Sequence, residues 1–193
     1  MILPDRFYDE DGNFHLAPGD RTFAGCVMQG VDLMYAQIAY ADLSGADLYW
    51  AMCCNAKMEG TILNGCDFCG ANLNDANLRG AALEHARLCF DNLGGTTSLH
   101  DADLSGANLR DAEIHGAEFI GARLIGADLR GCRGDKTPPD RPTRFDGANL
   151  SDARLGGARL TGAQYDSRTV FPRGFDPTTA GMVMRPHRRK PRA

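Results

Sequence analysis

The cysteines and histidines are the residues of this chain that could carry chemistry. Cys66 and Cys69 have the CxxC spacing of zinc and thiol-redox sites. A structural zinc site uses four ligands in paired spacings, however, and the sequence has no second CxxC and no HxxxH. His85, His100 and His115 have no serine or cysteine nucleophile at the spacing of a known catalytic motif. We therefore expect no catalytic residue, no metal site and no bound cofactor.

A period of five residues decides where these side chains point. A large apolar residue, here called the centre, recurs at every fifth position from Phe23 to Leu93, with only Cys53 small. Two positions earlier lies a small residue, most often alanine, and two positions later a turn residue, most often Gly or Asp. This period fits neither the 3.6 residues of a helix nor the 2.0 of a strand. The chain must turn once in each unit and return every centre to one interior, which predicts a solenoid.

Two breaks interrupt the period. After Leu93 it slips by one residue and resumes at Leu99, with Gly94 and Gly95 at that point. Because glycine tolerates positive φ, we expect a corner bulge of one residue here. Between Arg133 and Arg144 there is no apolar period, and three prolines predict a loop extruded into solvent.

The repeated Ala-Asp/Asn-Leu-x-Gly unit resembles the pentapeptide-repeat family over nearly all of residues 21–167. The resemblance implies an all-β solenoid, a right-handed parallel quadrilateral β-helix of about seven coils with four units to a coil. Residues 20 apart would then stack on parallel strands about 4.8 Å apart. Leucine and alanine would fill the interior and leave no ligand channel.

The chain divides into six segments by this pattern. They are an N-terminal cap at 1–20, repeats at 21–132, the Pro-rich loop at 133–144, repeats at 145–167, a C-terminal cap at 168–184 and a basic tail at 185–193. Phe7, Tyr8, Phe14 and Leu16 are candidates to cover the first coil. Asp176 followed by Pro177 predicts one short capping helix. The tail is predicted to be disordered and to attract nucleic acid only weakly, through Arg185, Arg188, Arg189, Lys190 and Arg192.

The same stacking brings two thiols together and separates two others. Cys66 falls at an inward position and Cys69 at an outward one, so their thiols should diverge. Cys69 and Cys89 are 20 apart, and their expected Cα separation of about 4.8 Å lies inside the disulfide range. Seven cysteines and no secretory signal favour a reducing, cytoplasmic location and two free thiols. No apolar run is long enough to span a membrane.

Four aromatic residues are the candidate site. Tyr35, Tyr40, Tyr49 and Trp50 occupy outward or corner positions within the second coil, with Met34 and Met52 beside them. Such residues are enriched at the centres of protein interfaces, which predicts a partner-binding surface. The alternative is that residues 1–20 fold back over the cluster.

Two functions are open at this point. The first is a non-enzymatic binding or scaffold module whose partner is another protein or a second copy of the chain. The second, implied by the resemblance, is a DNA mimic that binds and protects a type II topoisomerase, gyrase. The repeats carry 19 acids and 13 bases, whereas a mimic about 32 Å long would need about 19 net negative charges, at one charge per ~1.7 Å. Mimicry therefore ranks second, with Asp42, Asp47 and Asp67 as its candidate residues, and an enzyme ranks last.

Overall fold

A computed structural model describes residues 10–91, 93–135 and 141–186 of the chain, which form a parallel, right-handed β-helix with four faces. Most strands are single-residue bridges, such as Val27 to Asp47, 20 residues later. Two strands are longer: β1, Gln164–Tyr165, pairs in parallel with β2, Val183–Met184. The described residues contain no α-helix.

Each face is a column of outward side chains that are bridged from coil to coil. Face 1 carries Val27, Asp47, Asp67, Arg87, Glu113, Arg133 and Arg159. Face 2 carries Asp32, Met52, Asn72, Ser98, Glu118, Arg144 and Gln164. Face 3 carries His15, Gln37, Lys57, Asn77, Asp103, Arg123, Asn149 and Val170. Face 4 carries Asp42, Ile62, Ala82, Asn108, Asp128 and Arg154.

The repeated unit explains both the core and the corners. Centres such as Leu33 and small residues such as Ala36 are fully buried, so large and small side chains alternate around the interior. At each corner the N–H of the small residue donates to the carbonyl of the preceding centre, as from Ala36 to Leu33 at 3.1 Å. The residue just before the small residue, here Tyr35, adopts positive φ. This explains the preference for Gly, Asn or Asp at the turn position.

The prediction of a one-residue bulge near Gly94 is wrong. Asn72 bridges to Ser98, 26 residues later instead of 20, so six residues leave the stack. Leu93, which the period placed inside, is 81% exposed on this loop. The reason is Asp91, which occupies the inward position where the unit needs a small apolar residue, and burying an unpaired carboxylate there would be costly. We call residues 91–96 the first loop.

The Pro-rich break has the same architecture. Glu118 bridges to Arg144, again 26 residues later, and Arg133 bridges to Glu113 and Arg159, so both ends of the predicted loop belong to the stack. At both breaks the chain returns to the stack through a buried threonine whose hydroxyl lies close to two carbonyl oxygens. Thr97 Oγ1 lies 2.8 Å from the carbonyl oxygens of Phe68 and Cys89, and Thr143 Oγ1 lies 2.8 Å from that of Ile114 and 2.9 Å from that of Gly134.

The ends of the stack are closed by apolar side chains. Phe14 and Leu16 are buried, and Phe14 meets Phe23 edge to face at 5.6 Å; Phe7 and Tyr8 lie outside the described residues. At the other end Phe171 packs between Tyr165 and Phe175. The predicted C-terminal helix is wrong: the bond from Ala180 N to Asp176 O closes a single turn, which Gly181, with φ of 73°, ends before β2. Of the basic tail, only Arg185 and Pro186 lie among the described residues.

Candidate functional site

The corner between faces 1 and 2 contains Tyr49 and Trp50, whose rings lie 6.4 Å apart. Trp50 is at the turn position of its unit and remains 45% exposed. Its indole Nε1 donates a hydrogen bond to the carboxylate of Asp91 in the first loop. The loop therefore folds back along this corner and is joined to Trp50.

Glycines make room for the indole at this corner. A Cβ atom on Gly70, the turn residue one coil later, would come within 2.7 Å of the Trp50 Nε1 atom. A Cβ on Gly95 would come within 2.7 Å of Asp91 Oδ2 and 3.3 Å of the Trp50 ring. The loop and the indole can approach this closely only because neither glycine has a side chain.

An apolar surface extends from Trp50 across face 2. Met52 follows on the face itself, Met34 and Tyr35 form the next corner, and Leu93 projects from the first loop. Their side chains are between 40% and 81% exposed. We call these five residues the face-2 patch. Leu93 was missed from the sequence because it lies at a predicted core position.

The structure does not bring all four predicted aromatic residues into one cluster. Tyr35 and Trp50 border face 2 on opposite sides, and Tyr49 is half-buried beside Trp50. Tyr40 lies at the corner between faces 3 and 4, over Gly60 of the next coil. The predicted surface is therefore divided, with Tyr40 separated from the other three by face 3.

The described part of the N-terminal segment lies along face 3 and away from Trp50. His15 bridges to Gln37, and Gly19 N donates to the carbonyl of Tyr40 at 2.7 Å. Leu16 and Pro18 line a cavity of about 370 Å³ together with Tyr40. Residues 10–20 thus contact the region around Tyr40 and do not cover the face-2 patch.

Three of these aromatic residues adopt a backbone conformation that bulky side chains rarely take. Tyr35, Tyr40 and Trp50 have φ of 57°, 60° and 58°. The left-handed region costs about 1–2 kcal/mol for a residue with a Cβ atom. Most other corners of the same stack use glycine, asparagine or aspartate, and one uses His85. Strained positions of this kind are concentrated at functional sites.

The thiols are arranged as the period predicted. The Cys66 thiol donates to the carbonyl of Leu43 at 3.0 Å inside the core, and burial raises its pKa to about 12. Cys69 was expected at an outward position but is only 2% exposed: it lies within the wall of the coil, next to Cys89 one coil later. Cys66 and Cys69 thus contact different partners, Leu43 and Cys89, and all seven cysteines are free thiols.

The histidines are engaged in ordinary surface contacts. His100 Nε2 lies 3.0 Å from Glu118, and His115 Nδ1 lies 2.9 Å from the carbonyl of Asp135. His85 forms a group with Glu84 and Asp111, whose ligand atoms lie within 4.8 Å of one another. Two of these three residues are exposed, and Arg110 lies 3.8 Å from Glu84. The group offers three ligands, whereas a structural zinc site uses four.

Arginines alternate with acids along the faces. On face 1, Arg87 pairs with Asp67 and Glu113, and Glu113 pairs with Arg133. On face 3, Asp103 lies between Arg79 at 3.4 Å and Arg123 at 3.5 Å. On face 4, Arg154 lies 3.7 Å from Asp128. Neighbouring coils thus neutralise each other, and no continuous acidic stripe forms on these columns.

Within the described part of the chain, no helix is long and apolar enough to cross a membrane.

Comparison with known proteins gives a family match and several structural matches. The model of the family described as pentapeptide repeats matches in eight copies, over residues 21–48, 55–88, 97–133 and 143–164. A pentapeptide repeat protein from Nostoc Pcc 7120 is 35% identical, with coverage of 62% of this chain and 84% of that one, at a TM-score of 0.33. A trypsin-treated variant of QnrB1, described as a plasmid-mediated fluoroquinolone resistance protein, is 19% identical. The match covers 90% of this chain and 92% of that one, at a TM-score of 0.34. The protein Rfr23 from the cyanobacterium Cyanothece 51142 is 22% identical, with coverage of 77% of this chain and 89% of that one, at a TM-score of 0.27. No curated protein matches the chain.

Proposed function

The chain belongs to the pentapeptide-repeat family, and on that premise we propose that it is a non-enzymatic binding or scaffold protein that acts through contact with another protein chain. The observation that carries this proposal is the face-2 patch. Its methionine and aromatic side chains are exposed on a rigid face, and Asp91 fixes the orientation of Trp50.

The composition of the patch supports a protein partner. Tyr, Trp and Met are enriched at interface centres, where charged residues are depleted. The described charged residues of faces 1, 3 and 4 are largely paired with each other. A partner that docks on face 2 can bury apolar area there without breaking those pairs. The proposal places this binding in the cytoplasm.

A fixed indole also lowers the entropic cost of binding. Ordering a free side chain at an interface costs about 0.5–1.5 kcal/mol. Trp50 is already held by its hydrogen bond to Asp91 and lies directly over Gly70. Such pre-ordered aromatic residues are typical of interface hot spots.

The charge pattern argues against DNA mimicry. Of the acids that would carry it, Asp42 pairs with Arg21 at 2.8 Å and Asp67 pairs with Arg87. Asp47 accepts a hydrogen bond from Gln29 at 2.6 Å. We expect purified protein at micromolar concentration to leave gyrase supercoiling and quinolone inhibition unchanged. Robust protection of gyrase would reverse this ranking.

Site-specific photo-crosslinking tests the proposed surface. A photoreactive amino acid at Met52, in cells that make the protein, is expected to trap one discrete partner, which mass spectrometry identifies. The matched control carries the same amino acid at Ile62, which is similarly exposed but lies on face 4.

Two further measurements complete the test. The Trp50→Ala variant should lose most of the cross-link at Met52 at nearly unchanged stability. Sedimentation of the wild type shows whether the trapped partner is a second copy. Equal, diffuse cross-linking from Met52 and Ile62 would contradict the proposal.

A further inference from the structure

Two thiols lie side by side in the wall of the solenoid beneath the corner between faces 1 and 2. Asp67 bridges to Arg87, and Gly70 N donates to the carbonyl of Cys89 at 3.1 Å. Cys69 and Cys89 therefore occupy the same position on adjacent coils, with a Cα separation of about 4.8 Å, the spacing of neighbouring strands. Disulfides bridge Cα atoms about 4.4–6.8 Å apart. The Cα spacing of the pair therefore permits a disulfide bond.

The two thiols interact directly and are not equivalent. The pKa of Cys89 is lowered because the Cys69 thiol hydrogen-bonds to it, against the opposing effects of burial and of the Glu113 carboxylate, which lies 3.9 Å from the Cys89 sulfur. Arg87 also lowers it. The pKa of Cys69 is raised by the same interaction and by burial. Cys89 is thus the member that ionises first, and Cys69 is the member that keeps its proton.

The core thiols of the chain have a different environment. Burial raises the pKa of Cys132 to about 12 and also raises that of Cys53. Both residues are fully buried, and the thiol next to Cys53, that of Cys54, raises its pKa further. Cys89 is 6% exposed and lies at the base of the first loop, so unlike those two residues it is not sealed from solvent.

We propose that Cys69 and Cys89 form a reversible dithiol–disulfide site that reacts with small hydroperoxides. The Cys89 thiolate attacks the peroxide oxygen, which gives a sulfenic acid and releases water once the leaving hydroxide takes up a proton. The Cys69 sulfur then attacks the Cys89 sulfur, a second water leaves with the Cys69 proton, and the disulfide forms. In total, two thiols and one hydrogen peroxide give one disulfide and two waters.

Peptide mapping with hydrogen peroxide as the probe tests the site. The reduced full chain is oxidised, blocked with N-ethylmaleimide, unfolded and cut with trypsin. The expected product is a cross-link between the peptides 58–79 and 88–110 that disappears after dithiothreitol. Because 58–79 also contains Cys66, the Cys66→Ala variant must give the same cross-link.

The rate gives a second, independent readout. Replacing Arg87 by Gln should slow formation of the cross-link about threefold or more at pH 7, because Arg87 favours the Cys89 thiolate. Trypsin no longer cuts after residue 87 in this variant, so its cross-link joins the peptides 58–79 and 80–110. The matched control is Arg79→Gln, an exposed arginine near face 4, which should leave the rate unchanged. Preferential oxidation of Cys26 or Cys54, while Cys69 and Cys89 stay blocked as free thiols, would overturn the proposal. A cross-link between two chains in place of one within a chain would overturn it as well.

Discussion

Trp50 donates its indole N–H to the carboxylate of Asp91, and this bond joins a corner of the solenoid to a loop 41 residues further along the chain. The same carboxylate accepts the N–H groups of Leu93 and Gly95, both at 2.7 Å. One buried acid therefore organises the first loop and orients the exposed indole. The geometry of the face-2 patch depends on it.

Replacement of Asp91 by Ala should remove the acceptor of both the Trp50 indole and the N–H groups of the first loop. We expect the free energy of unfolding to fall by about 1–3 kcal/mol, since buried donors lose their acceptor. Trp50 is the only tryptophan, so its fluorescence reports the site, and acrylamide should quench it more strongly in the variant. Asp91→Asn keeps an acceptor oxygen and should lose less. Unchanged quenching in Asp91→Ala would mean that the bond does not hold the indole in solution.

The pKa of Asp91 predicts how this corner responds to pH. Burial alone would raise the pKa, but the N–H groups of Gly95 and Leu93 and the Trp50 indole outweigh it, so the net shift is downward. The stabilisation is therefore present above the unfolded-state value of about 3.9 and is lost as the pH falls through the lower folded-state value. We expect the urea midpoint and the protection of Trp50 to decline together below about pH 4.

The Asp91→Asn variant is the control for this pH dependence. Its Trp50 signal should be flat over the same range, although its overall stability will still fall because Asp103 and Asp166 also have lowered pKa values. A pH-dependent Trp50 signal in Asp91→Asn would assign the effect to other carboxylates.

The core was predictable because a period of five, with one turn in each unit, directs every large apolar residue to the same interior. Leu73, Ala76 and their equivalents are buried as expected. The first loop was not predicted because Leu93 keeps the apolar character of a centre after a shift of only one residue. The signal that could have identified it was the acid at the inward position, Asp91. The cost of burying an unpaired carboxylate inside the coil explains why the chain leaves the stack there for six residues.

The site was less predictable than the core. The sequence identifies outward aromatic residues, but residues five apart lie on successive sides of the coil. Tyr35 and Tyr40 consequently flank face 3, although they look adjacent in the chain. Only the register of the four faces shows that Tyr35 and Trp50 border the same surface.

Thr97 should be critical to the return of the chain from the first loop. Its hydroxyl lies 2.8 Å from two carbonyl oxygens, those of Phe68 and Cys89, and the residue is fully buried. The Thr97→Val variant has nearly the same shape but leaves each of these carbonyls with only its backbone donor, Ala71 N–H for Phe68 and Gly70 N–H for Cys89. We therefore expect a loss of about 0.5–1.5 kcal/mol in urea unfolding, the net value of a hydrogen bond.

Thr61 provides the matched control for Thr97. It is also fully buried, but its hydroxyl contacts only the carbonyl of Ile38, at 2.8 Å, within an unbroken coil. Thr61→Val should therefore lose less than Thr97→Val. Equal losses would show that the second carbonyl contact at the loop contributes nothing measurable.

Tyr35 offers the sharpest separation of stability from binding. Its φ of 57° costs about 1–2 kcal/mol for a residue with a Cβ atom, and its ring is 56% exposed. Glycine removes this strain but adds backbone entropy to the unfolded chain, worth about 0.5–1 kcal/mol. We expect Tyr35→Gly to be as stable as the wild type or up to about 1 kcal/mol more stable in urea unfolding.

Binding should change in the opposite direction. If Tyr35 is kept for a partner, Tyr35→Gly should weaken the cross-link formed from Met52 while the fold is unharmed. Asn55 is the matched control: it lies at the same corner one coil later with φ of 59°, and Asn55→Gly should change neither binding nor stability appreciably. A loss of more than about 1 kcal/mol in Tyr35→Gly would show that the ring supports the stack. In that case the strain at this corner would have a structural cause, and Tyr35 would have no place in the binding surface.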